Sequence, residues 1–252
     1  MTLIERVGRR CRPTVAGAEL LAHIGNIDAV VSSALDSVAR HAKGAVGRIR
    51  LGTGATPCIY LLPPILRELR QRLPKLEIAV STGNIGDVVK AVDTNEIDIG
   101  FVPLPVSGRT LEVIPVLTDD FAFVAPPGTS LPKRINSKTL AQFPIILFEP
   151  RGNSRRQADD WLHREGIALK PVMSLGSVEA IKEMVRAGLG CAILPGMSVH
   201  SDRPTEQLVV RPLQPKLCRT YAMVIRRDKP LNPGLKEMMR VLRMAGQASR
   251  KI

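Results

Sequence analysis

Aromatic residues are scarce in this chain: five Phe, two Tyr and one Trp among 252 residues, 3% in all. A core of useful size must therefore be built from Leu, Ile, Val and Ala, the composition of helices packed on parallel strands. Cysteine is as sparse. Cys11, Cys58, Cys191 and Cys218 stand singly, without the CxxC spacing of a zinc or redox pair, and read as reduced thiols. No apolar run approaches the roughly 18 residues that cross a bilayer. The opening MTLIERVGRR lacks the apolar core of a secretory leader. A soluble, cytoplasmic protein without a membrane partner is expected.

Catalytic signatures are missing too. No HExxH, GxSxG or paired-carboxylate motif occurs, and GTGATP lacks the Gly-Lys-Ser/Thr ending of a P-loop. Gly52 and Gly54 have no third glycine at the dinucleotide spacing. Asp119 and Asp120 have no second ligand cluster and read as a hinge or strand start. No catalytic residue, metal or cofactor is expected, and the chain reads as a non-enzyme.

What is present is positive charge and periodicity. The net charge of +13 favours a polyanionic partner, and Arg6, Arg9, Arg10 and Arg12 crowd into the first dozen residues. From Thr14, a good N-cap, Leu20, Ile24, Ile27, Val31, Ala34 and Val38 follow at alternating spacings of four and three. That is a heptad seam on one long helix, and it predicts dimerisation.

Beyond Gly47 the grammar changes to short apolar strands alternating with amphipathic helices, the mark of an α/β fold. Strands are expected at 48–52, 76–82 and 97–102, with helices at 58–73 and 86–94. Consecutive strands at 111–117 and 120–125 follow. A second set repeats the alternation: strands at 145–148, 172–175 and 191–194, helices at 154–165 and 177–187. Strands near 208–211 and 219–225 and a helix at 233–245 close the chain. The expected division is 1–13, a helix at 14–45, one lobe from 46–119 with 226–252, and another at 120–225, the strands at 120–125 and 219–225 acting as hinges.

In open α/β sheets ligands sit beyond the carboxyl ends of the strands, where helix N-termini present unpaired N–H groups. That rule selects Thr53, Gly54, Ala55 and Thr56 after the first strand, Asn84 and Ile85 after the second, and Val102 after the third. In the second lobe it selects Arg151, Asn153 and Ser154, then Pro195. Helix N-termini and a nearby arginine suit an anion. Thr56, Ser154 and Ser177 equally fit the simpler role of helix caps.

Taken together, residues along the whole chain resemble LysR-type transcriptional regulators. Leu3 to Arg6, Arg9, Arg10 and Thr14 to Gly17 resemble the end of that family's winged helix-turn-helix. Tyr60 to Pro64, Glu96 to Gly100, Ser177 to Ile181 and Ala187 to Pro195 resemble its effector domain. The resemblance implies a dimerising linker helix and two Rossmann-like subdomains like those of type 2 periplasmic binding proteins. It implies an inducer held between them, with contacts at Thr53 to Thr56, Asn84, Ile85, Asn153, Ser154 and Pro195. A homodimer or homotetramer that binds DNA is expected of the family.

The family's recognition helix precedes the segment that begins here at Leu3, so residues 1–13 are expected to be a wing whose arginines meet phosphate without reading bases. Weak DNA binding without sequence preference is the expectation. The alternatives are a stand-alone solute-binding protein, against which the heptad helix argues, and a dehydratase-like enzyme, for which no acid–base pair is found.

Overall fold

A computed structural model describes residues 1–7, 10–39, 47–150, 152–199 and 208–248. The chain divides into two compact units. Unit 1 comprises Met1–Cys58, Leu62–Leu117 and Tyr221–Ile252; unit 2 comprises Ile59–Leu61 and Thr118–Thr220.

Unit 1 opens with a hairpin, β1 (Ile4–Val7) and β2 (Arg10–Pro13), followed by the long helix α1 (Val15–Ala39). Thr14 caps α1 as its sequence suggests: its Oγ1 accepts from the Gly17 N–H at 3.1 Å. Gly17 itself lies where a Cβ would stand 1.9 Å from the Leu3 carbonyl oxygen, so only glycine lets the hairpin rest on α1. The sheet of unit 1 runs β4 (Glu77–Thr82), β3 (Arg48–Thr53), β5 (Ile99–Pro103), β11 (Cys218–Arg226), with β3 parallel to both β4 and β5. Between β3 and β4 lie α2 (Ala55–Tyr60) and α3 (Leu62–Arg72), and between β4 and β5 lies α4 (Ile85–Asp93). A single helix over 58–73 is the sequence expectation; the structure breaks it, because Pro63 and Pro64 have no N–H to give the carbonyls one turn back. The last helix, α8 (Pro233–Ala248), packs beside α3 and runs past the expected end at 245.

A second correction concerns β6 (Leu111–Ala125), one unbroken strand where two were expected. Paired aspartates read as a break, but Asp119 is buried against a cation and the strand passes straight through. Unit 2 adds α5 (Ser137–Leu140), β7 (Ile145–Phe148), α6 (Asn153–His163), β8 (Met173–Leu175), α7 (Val178–Arg186), β9 (Cys191–Pro195), a 3-10 turn Gly196–Ser198, and β10 (Val209–Pro212). Its strand order is β6, β9, β7, β8, with β10 on β6. β7 is parallel to β8 and β9, and β6 is antiparallel to β9.

Strand β7 shows why these segments are continuously apolar. Ile145 and Leu147 enter one core with Trp161 and Leu162 of α6; Ile146 and Phe148 enter the other with Val178 and Ile181 of α7. Side chains alternate across a strand, and both faces here are covered by helices, so every position is apolar. Each parallel step then returns through a helix whose N-terminus stands at a strand's carboxyl end. No helix among the described residues is long and apolar enough to cross a membrane.

Candidate functional site

In unit 1 the loop after β3 divides its side chains between structure and exposure. Thr53 is fully buried, and its Oγ1 donates to the Phe101 carbonyl at 2.7 Å, tying β3 to β5. The Gly54 carbonyl accepts from Cys58 N–H at the start of α2, with Ala55 exposed and Thr56 half-buried in its first turn. After β4, Asn84 caps α4: its Oδ1 accepts from Asp87 N–H at 2.9 Å, while Ile85, half-buried, opens the helix. Val102 is 1% exposed among Val88, Val92 and Val224, so its side chain is core and only its backbone faces the strand end.

Unit 2 gathers its residues more tightly. Asn153 opens α6; its Oδ1 accepts from Arg156, while its Nδ2 is enclosed and has no hydrogen-bond partner among the described residues. Ser154 Oγ accepts from Arg219 Nη1 at 3.1 Å. Arg219 also grips Asp119 Oδ2 through Nε and Nη2, at 3.3 and 3.2 Å, and stacks 5.0 Å over the Phe121 ring. Asp119 Oδ1 in turn accepts from Met197 N–H, two residues beyond Pro195, at 2.8 Å. Both side chains of the ion pair are 4% exposed. Burial pushes the Asp119 carboxyl above its ordinary 3.8; Arg219 and the Met197 amide offset this only in part.

This network brings Ser154 and the turn after Pro195 onto one pair of charges. It sets a guanidinium beside the N-terminus of α6, where the helix's own N–H groups already favour negative charge. Arg151 lies outside the described residues. In the sequence Asp119 reads only as a hinge or strand start and nothing marks Arg219, because their partnership spans 100 residues. Two further polar atoms, Gln157 Oε1 in α6 and Glu179 Oε1 in α7, are enclosed without partners among the described residues.

The hairpin places Arg10 and Arg12 on one face and Arg6 on the other: Arg12 stands opposite Glu5, and Arg6 opposite Cys11. Arg9 lies outside the described residues. On α1, Leu20, Ile24, Ile27 and Val31 are between 41% and 55% exposed, whereas Ala29 on the opposite face is buried. The side chain of Val38 lies outside the description.

Parallel strands whose carboxyl ends carry capped or cation-flanked helix N-termini, in each of two units, define a small-molecule-binding α/β domain. Residues 42–247 match the LysR substrate binding domain, and the chain belongs to the LysR family of transcriptional regulators. The uncharacterised helix-turn-helix regulator YeiE of Escherichia coli K12 is 33% identical over 77% of this chain and 67% of its own length. Full-length OxyR of Pseudomonas aeruginosa shares the fold, with a TM-score of 0.76 at 21% identity over 97% of this chain and 82% of that one. So does the regulatory domain of Synechocystis CcmR in complex with 2-PG, with a TM-score of 0.71 at 22% identity over 79% and 97%. The chain is thus the effector-binding part of a LysR-type regulator, with the mixed α/β architecture of that family's regulatory domains.

Proposed function

We propose that this chain senses a small anionic effector through the loops at the carboxyl ends of its parallel strands, with the start of α6 in unit 2 as the anion seat. Occupancy alters the geometry of a homodimer or homotetramer and so controls transcription. The observation that carries the reading is the buried Arg219 held against Ser154 beside the Asn153 amide, which is enclosed without a partner among the described residues. In unit 2, Asn153, Ser154 and the Pro195 turn contact the effector and Arg151 adds charge; in unit 1, Asn84 and Thr56 are the candidate contacts at the corresponding strand ends. Arg6, Arg9, Arg10 and Arg12 meet DNA phosphate. The setting is cytoplasmic, and no cofactor takes part.

A stand-alone solute-binding protein is disfavoured by α1, whose exposed apolar seam has use only in an assembly. The test is titration calorimetry with 2-PG, the ligand of the CcmR structure, and with inorganic sulfate. Ser154→Ala and Asn153→Ala should each weaken binding by about 1.5–3 kcal/mol, the range for a charge-assisted hydrogen bond, with Asn84→Ala and Thr56→Ala weaker as well. Unchanged affinity in Ser154→Ala and Asn153→Ala would remove the anion seat from α6.

A further inference from the structure

We propose that unit 1 carries a second ligand site, at the amino ends of its parallel strands, which takes a small organic monoanion with an apolar body and, when filled, ties α1 to the rest of the unit. A cavity of about 1000 Å³, half open to solvent, lies between α1 and the segments that begin β3 and follow β11. That is the upper end of the volumes in which proteins hold small molecules. Arg48 and Arg50 stand at the start of β3, whereas the loop from Thr53 to Thr56 follows its end. Along the strand Thr53 lies three residues beyond Arg50 and five beyond Arg48, about 10 and 16 Å at roughly 3.3 Å each, so this cavity is not the effector site.

Its two sides differ in chemistry. The α1 side is apolar, formed by Ala29, Val30 and Leu35, all off the heptad seam. The opposite side is charged and almost balanced. Arg226 is matched in fork geometry by Asp228, at 2.8 and 2.7 Å, and Arg48 by Glu77. Asp98, by contrast, is shared by two cations: Arg50 donates to it through its backbone N–H, Nε and Nη2, and Lys229 through Nζ. One carboxylate against two cations leaves a residual charge of +1 on the floor. Arg50 Nη1 and the third Nζ proton of Lys229 have no partner among the described residues. A carboxylate head would complete that triad while its apolar body lay along α1.

The helix is already close enough for such a ligand to bridge. A Cβ on Gly25 would stand 2.6 Å from the Thr94 carbonyl oxygen, and Ala29 is 6% exposed, so α1 touches the turn that leads to Asn95 and Asp98.

Titration of the full chain with benzoate tests the site, with inorganic sulfate as a head without a body. Benzoate should bind, and its affinity should survive Ser154→Ala and Asn84→Ala. It should fall about tenfold or more in Val30→Glu and in Leu231→Glu, which bring a repelling carboxylate to the rim. Both positions are exposed, at 68% and 40%, so neither change threatens folding. Hydrogen exchange along α1 should slow when benzoate is added. No binding at about 10 mM benzoate overturns the proposal. So does binding that Ser154→Ala abolishes while both rim variants leave it intact, or sulfate binding as tightly as benzoate. The effector reading stands or falls on its own variants and is untouched by these outcomes.

Discussion

Asp98 and Asp119 are both buried carboxylates held by arginine, yet their protons answer differently to folding. Burial raises both. For Asp98 the hydrogen bonds from Arg50 and Lys229, with the charge of Lys229, outweigh burial and hold the carboxyl below 3.8; for Asp119 one arginine and one amide do not. A depressed folded value gives stability that is present above the ordinary pKa and lost as pH falls through the folded one. A raised value gives stability that is complete at low pH and lost as pH rises through the folded value. Asp98→Asn should therefore be destabilised at pH 7, with its gap to wild type closing as pH falls below 3.8. Wild type should instead gain on Asp119→Asn between pH 7 and pH 3. Urea unfolding at both pH values, with unchanged slopes, measures each gap. Neither contrast is legible in the sequence, because it depends on which partners the fold brings to each acid.

Elements with local causes are the ones legible in the sequence. The run at β7 announces a strand covered on both faces, and Thr14 marks the start of α1. Asn84 reads from its Gly-Asn-Ile-Gly turn as a ligand contact, and its role as the cap of α4 emerges only in the fold. The misread elements are those where distant packing decides: β6 continues through Asp119 because Arg219 neutralises it, and Arg219 gave no signal of its own. Helix α1 makes a claim testable by itself. Its Leu20, Ile24, Ile27 and Val31 stripe is exposed in a single chain, so Ile24→Asp with Val31→Asp should lower the mass found by sedimentation equilibrium to that of a monomer. Val15→Asp, 83% exposed at the helix start and off the seam, should not. An unchanged oligomer in the first variant would mean that some other surface holds the assembly.

At the scale of the whole molecule the net charge of +13 acts through counterion release, so DNA affinity should fall steeply with salt. Arg10 and Arg12 share one face of the hairpin. If both meet phosphate, Arg10→Ala with Arg12→Ala should flatten the log–log salt slope by about two contacts, roughly 0.9 per contact, equally for any duplex sequence. A loss confined to one sequence would instead indicate base reading. Fluorescence polarisation across a salt series separates the two.

The chain's one tryptophan, Trp161, is 2% exposed in the core of unit 2, with its indole N–H donating to the Pro215 carbonyl at 2.8 Å. Its emission is consequently a built-in optical probe of one half of the protein. Unit 2 melting will shift that light to the red; unit 1 melting alone will leave the emission unshifted and show only in circular dichroism. Two superimposable curves would mean one cooperative transition, and two separated curves would give each unit a stability of its own.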